Sequence, residues 1–117
     1  MEDHSLQLAH TIIAVLDEKK GEDILLLDLS ELNTFTDGFV ICTALSERTL
    51  KALSGEVREK VKEQLSKAPY NSEGDAESGW VLLDYGDIVV HLFTATIRDY
   101  YRLEEFWSEG QILLRMS

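Results

Sequence analysis

Apolar residues recur at Leu6, Ala9, Ile12, Ile13 and Leu16, three or four positions apart, so the chain opens with a predicted amphipathic helix whose apolar stripe needs a partner surface. Lys19-Lys20-Gly21 then supplies cations followed by a glycine, which suits a helix C-terminus and its left-handed cap. Residues 24–29 (ILLLDL) and 38–45 (GFVICTAL) are short, mostly aliphatic runs. They predict strands buried on both faces, paired with one another across the polar connector SELNTFTD. Ser46 can accept a bond from an otherwise unpaired backbone N–H, and Leu50, Leu53, Val57, Val61 and Leu65 follow at spacings of three and four. That pattern predicts a long helix ending before Pro69.

Residues 71–79 (NSEGDAESG) are small, polar and acidic, with nothing to bury, and read as an exposed loop. Residues 80–93 (WVLLDYGDIVVHLF) read as two strands joined at Tyr85-Gly86, where glycine can take the positive φ of a tight hairpin. Ile97, Tyr100, Tyr101, Leu103, Phe106 and Trp107 then cover one broad face of a predicted helix, and residues 111–115 return as an edge strand. The order α, β, β, α, β, β, α, β describes one domain over residues 1–117, of α/β (α+β) class, with a single mixed β-sheet flanked by helices.

The chain has 117 residues, 22 acidic against 11 basic, for a formal charge of −11. Such a surface repels a nucleic-acid backbone over most of its area and attracts a basic protein. Solubility explains an acidic surface equally well, so charge alone leaves the function open. Cys42 is the only cysteine; inside FVICTAL it reads as a small buried hydrophobe. No run approaches the roughly 18–20 apolar residues of a membrane span, and MEDHSLQ has neither a basic signal region nor the Arg-rich character of a transit peptide. A cytoplasmic protein without membrane contact is expected.

Asp84 and Asp87 bracket the hairpin turn and raise the alternative of a nucleotide-binding or nucleotidyltransferase enzyme holding a divalent metal. Two-metal chemistry on a strand wants carboxylates at i and i+2 on one face; here they are i and i+3 across a turn, and no Gly-Ser dipeptide exists to hold a triphosphate. Their expected role is structural or partner-binding, with no metal, cofactor or catalytic residue. His91 has no metal-ligand spacing around it and reads as a hydrogen-bonded structural or interface histidine. Glu73, Asp75 and Glu77 lack the spacing of an EF-hand and read as a solvated loop. Arg98 and Glu104, six residues apart on one helix, are too far round the axis to pair, so each is expected to find partners elsewhere. The chain carries more large aromatics than a small core needs, and Tyr and Trp dominate protein interfaces. An acidic, aromatic surface suits a basic protein.

WVLLDYGDIVVHLF followed by Arg98, Tyr101, Leu103, Glu104 and Trp107 resembles the ribosomal silencing factor family, also called Iojap-like or RsfS proteins. The resemblance continues upstream through Asp23-Ile24 to Asp28, Thr36-Asp37-Gly38-Phe39-Val40-Ile41, Ser46 and Glu73-Gly74. It implies a nucleotidyltransferase-like fold without catalytic residues, and no enzyme activity. It further implies a protein of the bacterial cytoplasm that binds the large ribosomal subunit through ribosomal protein fourteen. There it would sterically block joining of the small subunit and repress translation under nutrient limitation. No direct sequence-specific nucleic-acid binding is implied, and a homodimer stays open. By position, the resemblance puts Trp80, Asp84, Tyr85, Gly86, His91, Phe93, Arg98, Tyr101 and Glu104 in or directly beneath the partner interface, with Tyr85 as a central aromatic, while Leu103 and Trp107 anchor the helix. Gly38 departs from the family, whose members often carry a bulky side chain there.

Overall fold

The chain runs α1 (Asp3–Glu18), β1 (Glu22–Asp28), a 3-10 turn (Ser30–Leu32), β2 (Gly38–Ala44), α2 (Glu47–Leu65), β3 (Asn71–Asp75), β4 (Trp80–Asp84), β5 (Ile88–Thr94), α3 (Ala95–Tyr101), α4 (Leu103–Phe106) and β6 (Gln111–Met116). The computed structural model describes residues 1–32 and 35–116; Asn33 and Thr34 of the expected connector lie outside the described residues. The six strands form one mixed sheet in the order β3-β4-β5-β2-β1-β6. β2 and β5 are parallel, with Gly38 opposite Ile88, and the other neighbours are antiparallel. The expected pairing of β1 with β2 is present, and so is the edge strand β6.

Side chains alternate across a strand, so each strand feeds two cores. Ile24, Leu26, Val40, Cys42, Val90 and Leu92 face α1 and α2 in the larger cluster. Leu25, Leu27, Phe39, Ile41, Val89 and Phe93 face the opposite side, where Ile97, Leu103 and Trp107 pack on them. Central β2 is buried at every position, which explains its lack of alternation in the sequence. Each fully buried large aliphatic or aromatic side chain contributes roughly 1.5–3 kcal/mol. α2 begins as expected: the Ser46 hydroxyl accepts from the Thr49 N–H at 3.0 Å. It ends at Leu65, with Ser66 left-handed, before Pro69 is reached.

Three expectations are corrected. Residues 71–79 are not all loop: Asn71–Asp75 forms β3, paired with β4 from Asn71↔Asp84 to Asp75↔Trp80. All five residues are exposed, so β3 is an edge strand held by backbone bonds, with none of the apolar alternation that reveals a strand in sequence. The last helix is two, because Arg102 takes φ 47°, ψ 52° and separates α3 from α4. That break lets Leu103 and Trp107 pack on the second cluster while Tyr100 and Phe106 stay exposed. Finally, the left-handed residue after α1 is Lys20, φ 69°, rather than Gly21.

Candidate functional site

The second face of the sheet is incompletely covered where β4 meets α3. Trp80 and Leu82 from β4, Ile97 and Tyr101 from α3, and Glu73, Gly74 and Ser78 from the β3–β4 hairpin line a largely apolar groove of about 300 Å³. The Trp80 ring lies 4.8 Å from Phe93, its cross-strand neighbour, and 4.8 Å from Tyr101. Phe93 is fully buried, whereas Tyr101 is 50% exposed.

Beneath the groove the Trp80 indole N–H donates to His91 Nδ1 at 3.2 Å. That bond places the imidazole proton on Nε2, which has no hydrogen-bond partner among the described residues. Burial pushes the His91 pKa down to about 3, so the ring is neutral at physiological pH. Phe39 meets it edge-on at 4.5 Å and reaches Trp107 at 5.7 Å. A continuous set of rings therefore links the groove to α4.

Arg98, 5% exposed, fastens α3 to the sheet. Its Nη1 donates to the Thr43 hydroxyl at 2.8 Å and to the Asp23 carbonyl, and its Nε donates to Glu104 Oε1 at 3.2 Å. The Asp23 carboxylate stands 3.6 Å from Nη2. The expectation that Arg98 and Glu104 cannot pair is therefore corrected: helical geometry forbids it over six residues, but the left-handed Arg102 folds α4 back toward the guanidinium.

Of the nine residues singled out from sequence, the structure gathers Trp80, His91, Phe93 and Tyr101 in the ring cluster and Arg98 and Glu104 in the ion-pair cluster. Tyr85 is elsewhere. It is 4% exposed and packs in the larger core, on the other side of the sheet, and burial pushes its pKa up to about 12. Asp84 and Gly86 make the β4–β5 turn: Asp84 Oδ1 accepts from the Gly86 N–H at 2.8 Å, and Gly86 takes φ 86°. The Asp87 carbonyl accepts from the Asp37 and Gly38 N–H groups, and its carboxylate lies 3.0 Å from His4 Nε2. Among the described residues no three His, Cys, Asp or Glu side chains converge as a metal site. Cys42 is fully buried, with its thiol pushed up to about 12 by desolvation. Gly38 is explained by close packing, since a Cβ would sit 2.8 Å from the Leu27 carbonyl oxygen.

Sequence reasoning did not assign Leu82 to the site, although its position two residues after Trp80 puts it on the same strand face. The partners of Arg98, Asp23 and Thr43, carry no local signal; they arrive from β1 and β2 through the tertiary fold.

A family model described as ribosomal silencing factor during starvation matches residues 2–115. The ribosomal silencing factor RsfS of Bacillus subtilis is 37% identical over 102 residues, covering 85% of this chain and 83% of its own length. The mouse protein named mitochondrial assembly of ribosomal large subunit protein 1 is 28% identical over 99 residues, 83% of this chain and 43% of its own length. A crystal structure of a Chromobacterium violaceum protein aligns with a TM-score of 0.84 at 38% identity, covering 95% of this chain and 89% of that one. No helix among the described residues is long and apolar enough to cross a membrane.

Proposed function

The chain belongs to the ribosomal silencing factor family, and from that premise we propose that it binds the large ribosomal subunit through ribosomal protein fourteen. Seated there, it blocks joining of the small subunit by occupying the intersubunit face, and so lowers translation when nutrients are scarce. The name of the mouse relative refers to assembly of the large subunit, which favours that subunit over the small one. Catalysis has no part in this mechanism: a rigid domain need only occupy the surface.

The observation that carries the reading is the half-open aromatic groove between β4 and α3. Trp80 and Tyr101 offer large, stiff contact area at its surface, of the kind that anchors protein interfaces. Glu73 on its rim and the charge of −11 complement a basic ribosomal protein and speed encounter with it. His91 and Phe93 support the contact residues from beneath, Arg98 and Glu104 set the angle of α3 and α4, and Asp84, Tyr85 and Gly86 fix the turn that registers β4 against β5.

Sucrose-gradient sedimentation with isolated large and small subunits tests the proposal. Comigration with large subunits and a lower yield of joined ribosomes are expected. Absence from the large-subunit fraction, or comigration with full joining, would overturn it.

A further inference from the structure

The outer face of α2 carries four of the eleven basic residues of the chain, flanked by the exposed Glu47 and Glu59. Arg48, Lys51, Arg58 and Lys62 stand at positions i, i+3, i+10 and i+14, hence on one face, and all four are exposed. The stripe extends over about 21 Å of helix axis. Gly55, at i+7 on the same face, has nothing within 4 Å of where its Cβ would lie.

Ion pairing divides the eleven cations of the chain. Lys19, Lys60, Arg98, Arg102 and Arg115 each pair with a carboxylate. With twice as many acids as bases in the chain, every cation has carboxylates to choose from. Yet among the described residues six cations have none within ion-pair distance: Lys20 and Lys67 singly, and Arg48, Lys51, Arg58 and Lys62 together on this one helix face, with Arg58 held instead by the Ser72 hydroxyl. Asp75 and Glu77, with Glu47 of α2 itself, line a groove of about 660 Å³ together with Arg48, Lys51 and Arg58 without closing on them. Gly74 lines both this groove and the aromatic one, so the two surfaces meet at the β3–β4 hairpin.

We propose that the outer face of α2 is a second contact with the large subunit, taking the phosphodiester backbone of ribosomal RNA without reading its sequence. The inference rests on the large-subunit reading above and adds to the protein contact of the aromatic groove. Four cations in a row suit consecutive phosphates, whose neutralisation releases counterions. An acidic protein segment is the competing occupant; a surface built largely of RNA favours phosphate.

Binding to purified large subunits across a salt series, read by pelleting, tests this with three proteins: the wild type, Arg48→Gln/Lys51→Gln/Arg58→Gln/Lys62→Gln, and Tyr101→Ala. Glutamine keeps helix propensity close to that of lysine and arginine, and circular dichroism confirms the fold. The quadruple variant is expected to bind on the order of tenfold or more weakly at low salt, with a log–log salt slope shallower by about 3. Tyr101→Ala should weaken binding and keep the wild-type slope. A photocrosslinker on Gly55→Cys, where Cys42 is too buried to compete for the label, should yield a ribonuclease-sensitive adduct. An unchanged slope in the quadruple variant, or adducts with protein alone, overturns the RNA contact while leaving subunit binding intact. Failure of the wild type to pellet with large subunits removes both readings.

Discussion

Arg98 and Glu104 meet at 3.2 Å across the left-handed residue Arg102, so the carboxylate from the first turn of α4 closes over a guanidinium rooted in α3. Arg98 also holds Thr43 and the Asp23 carbonyl. One buried cation thus ties β1, β2, α3 and α4 together, and its removal leaves several polar groups without a donor.

Arg98→Ala is accordingly expected to destabilise the fold by about 3 kcal/mol, the low end for breaking a buried pair because Glu104 keeps some solvent contact. Urea unfolding measures it, and a double-mutant cycle with Glu104→Gln should show coupling of about 1 kcal/mol. A loss under about 0.5 kcal/mol for Arg98→Ala would contradict the role given to this network.

The break itself can be tested at Arg102. A left-handed conformation costs a residue bearing a Cβ about 1 kcal/mol relative to glycine. Arg102→Gly should therefore be more stable than Arg102→Ala by about that amount, with the exposed ion pairs to Asp99 and Glu105 lost equally in both. An Arg102→Ala variant more stable than Arg102→Gly by about 1 kcal/mol, the order expected inside a helix, would mean that α3 and α4 are one helix in solution.

His91 gives a pH dependence of known sign. Its folded pKa is depressed from 6.5 to about 3 by burial, so between those values the unfolded state binds a proton that the folded state refuses. Stability from this group is full above about pH 6.5 and falls as the pH drops toward 3, by up to about 1.4 kcal/mol per unit. Unfolding of the wild type and His91→Phe at pH 7 and pH 5 isolates the effect, because the carboxylates are common to both. The wild type should lose more stability than the variant, and parallel losses would refute the assignment.

Tyr85 and Tyr101 should respond in opposite ways. The Tyr85 hydroxyl is buried with no hydrogen-bond partner among the described residues, so Tyr85→Phe is expected to stabilise the fold by about 1 kcal/mol and leave subunit binding unchanged. Tyr101→Ala should cost little stability and about 2 kcal/mol of binding, roughly thirtyfold. Thermal unfolding and subunit pelleting on the same two proteins decide the matter.

Much of this architecture is legible along the chain because burial imposes period. The stripes of α1 and α2, the aliphatic runs of β1 and β2, the Ser46 cap and the turn at Gly86 each follow from local rules. β3 was not legible: an exposed edge strand has no core to advertise, and its partner is fixed by backbone pairing alone. The helix break is hidden because Leu103 and Trp107 keep near-helical spacing, while the contacts that hold α3 on the sheet, from Arg98 to Asp23 and Thr43, lie far away in sequence. Trp80, His91 and Tyr101, all named by motif position, lie in one ring cluster. Motif position did not separate Tyr85 from them, although strand alternation does: Tyr85 keeps the parity of Val81 and Leu83, which pack in the larger core, while Trp80 and Leu82 face the other way.

The two cores are unequal, and this bears on motion. The cluster under α1 and α2 is large, whereas the one under α3 and α4 is small and completed by partly buried Ile97, Leu103 and Trp107. Local opening follows the density of buried contacts, so the amides of α3 and α4 exchange with solvent sooner than those of α1 or β2. The layer that bears Tyr101 is therefore less protected than the layer of α1 and α2, and an occupied groove would announce itself as slowed exchange there.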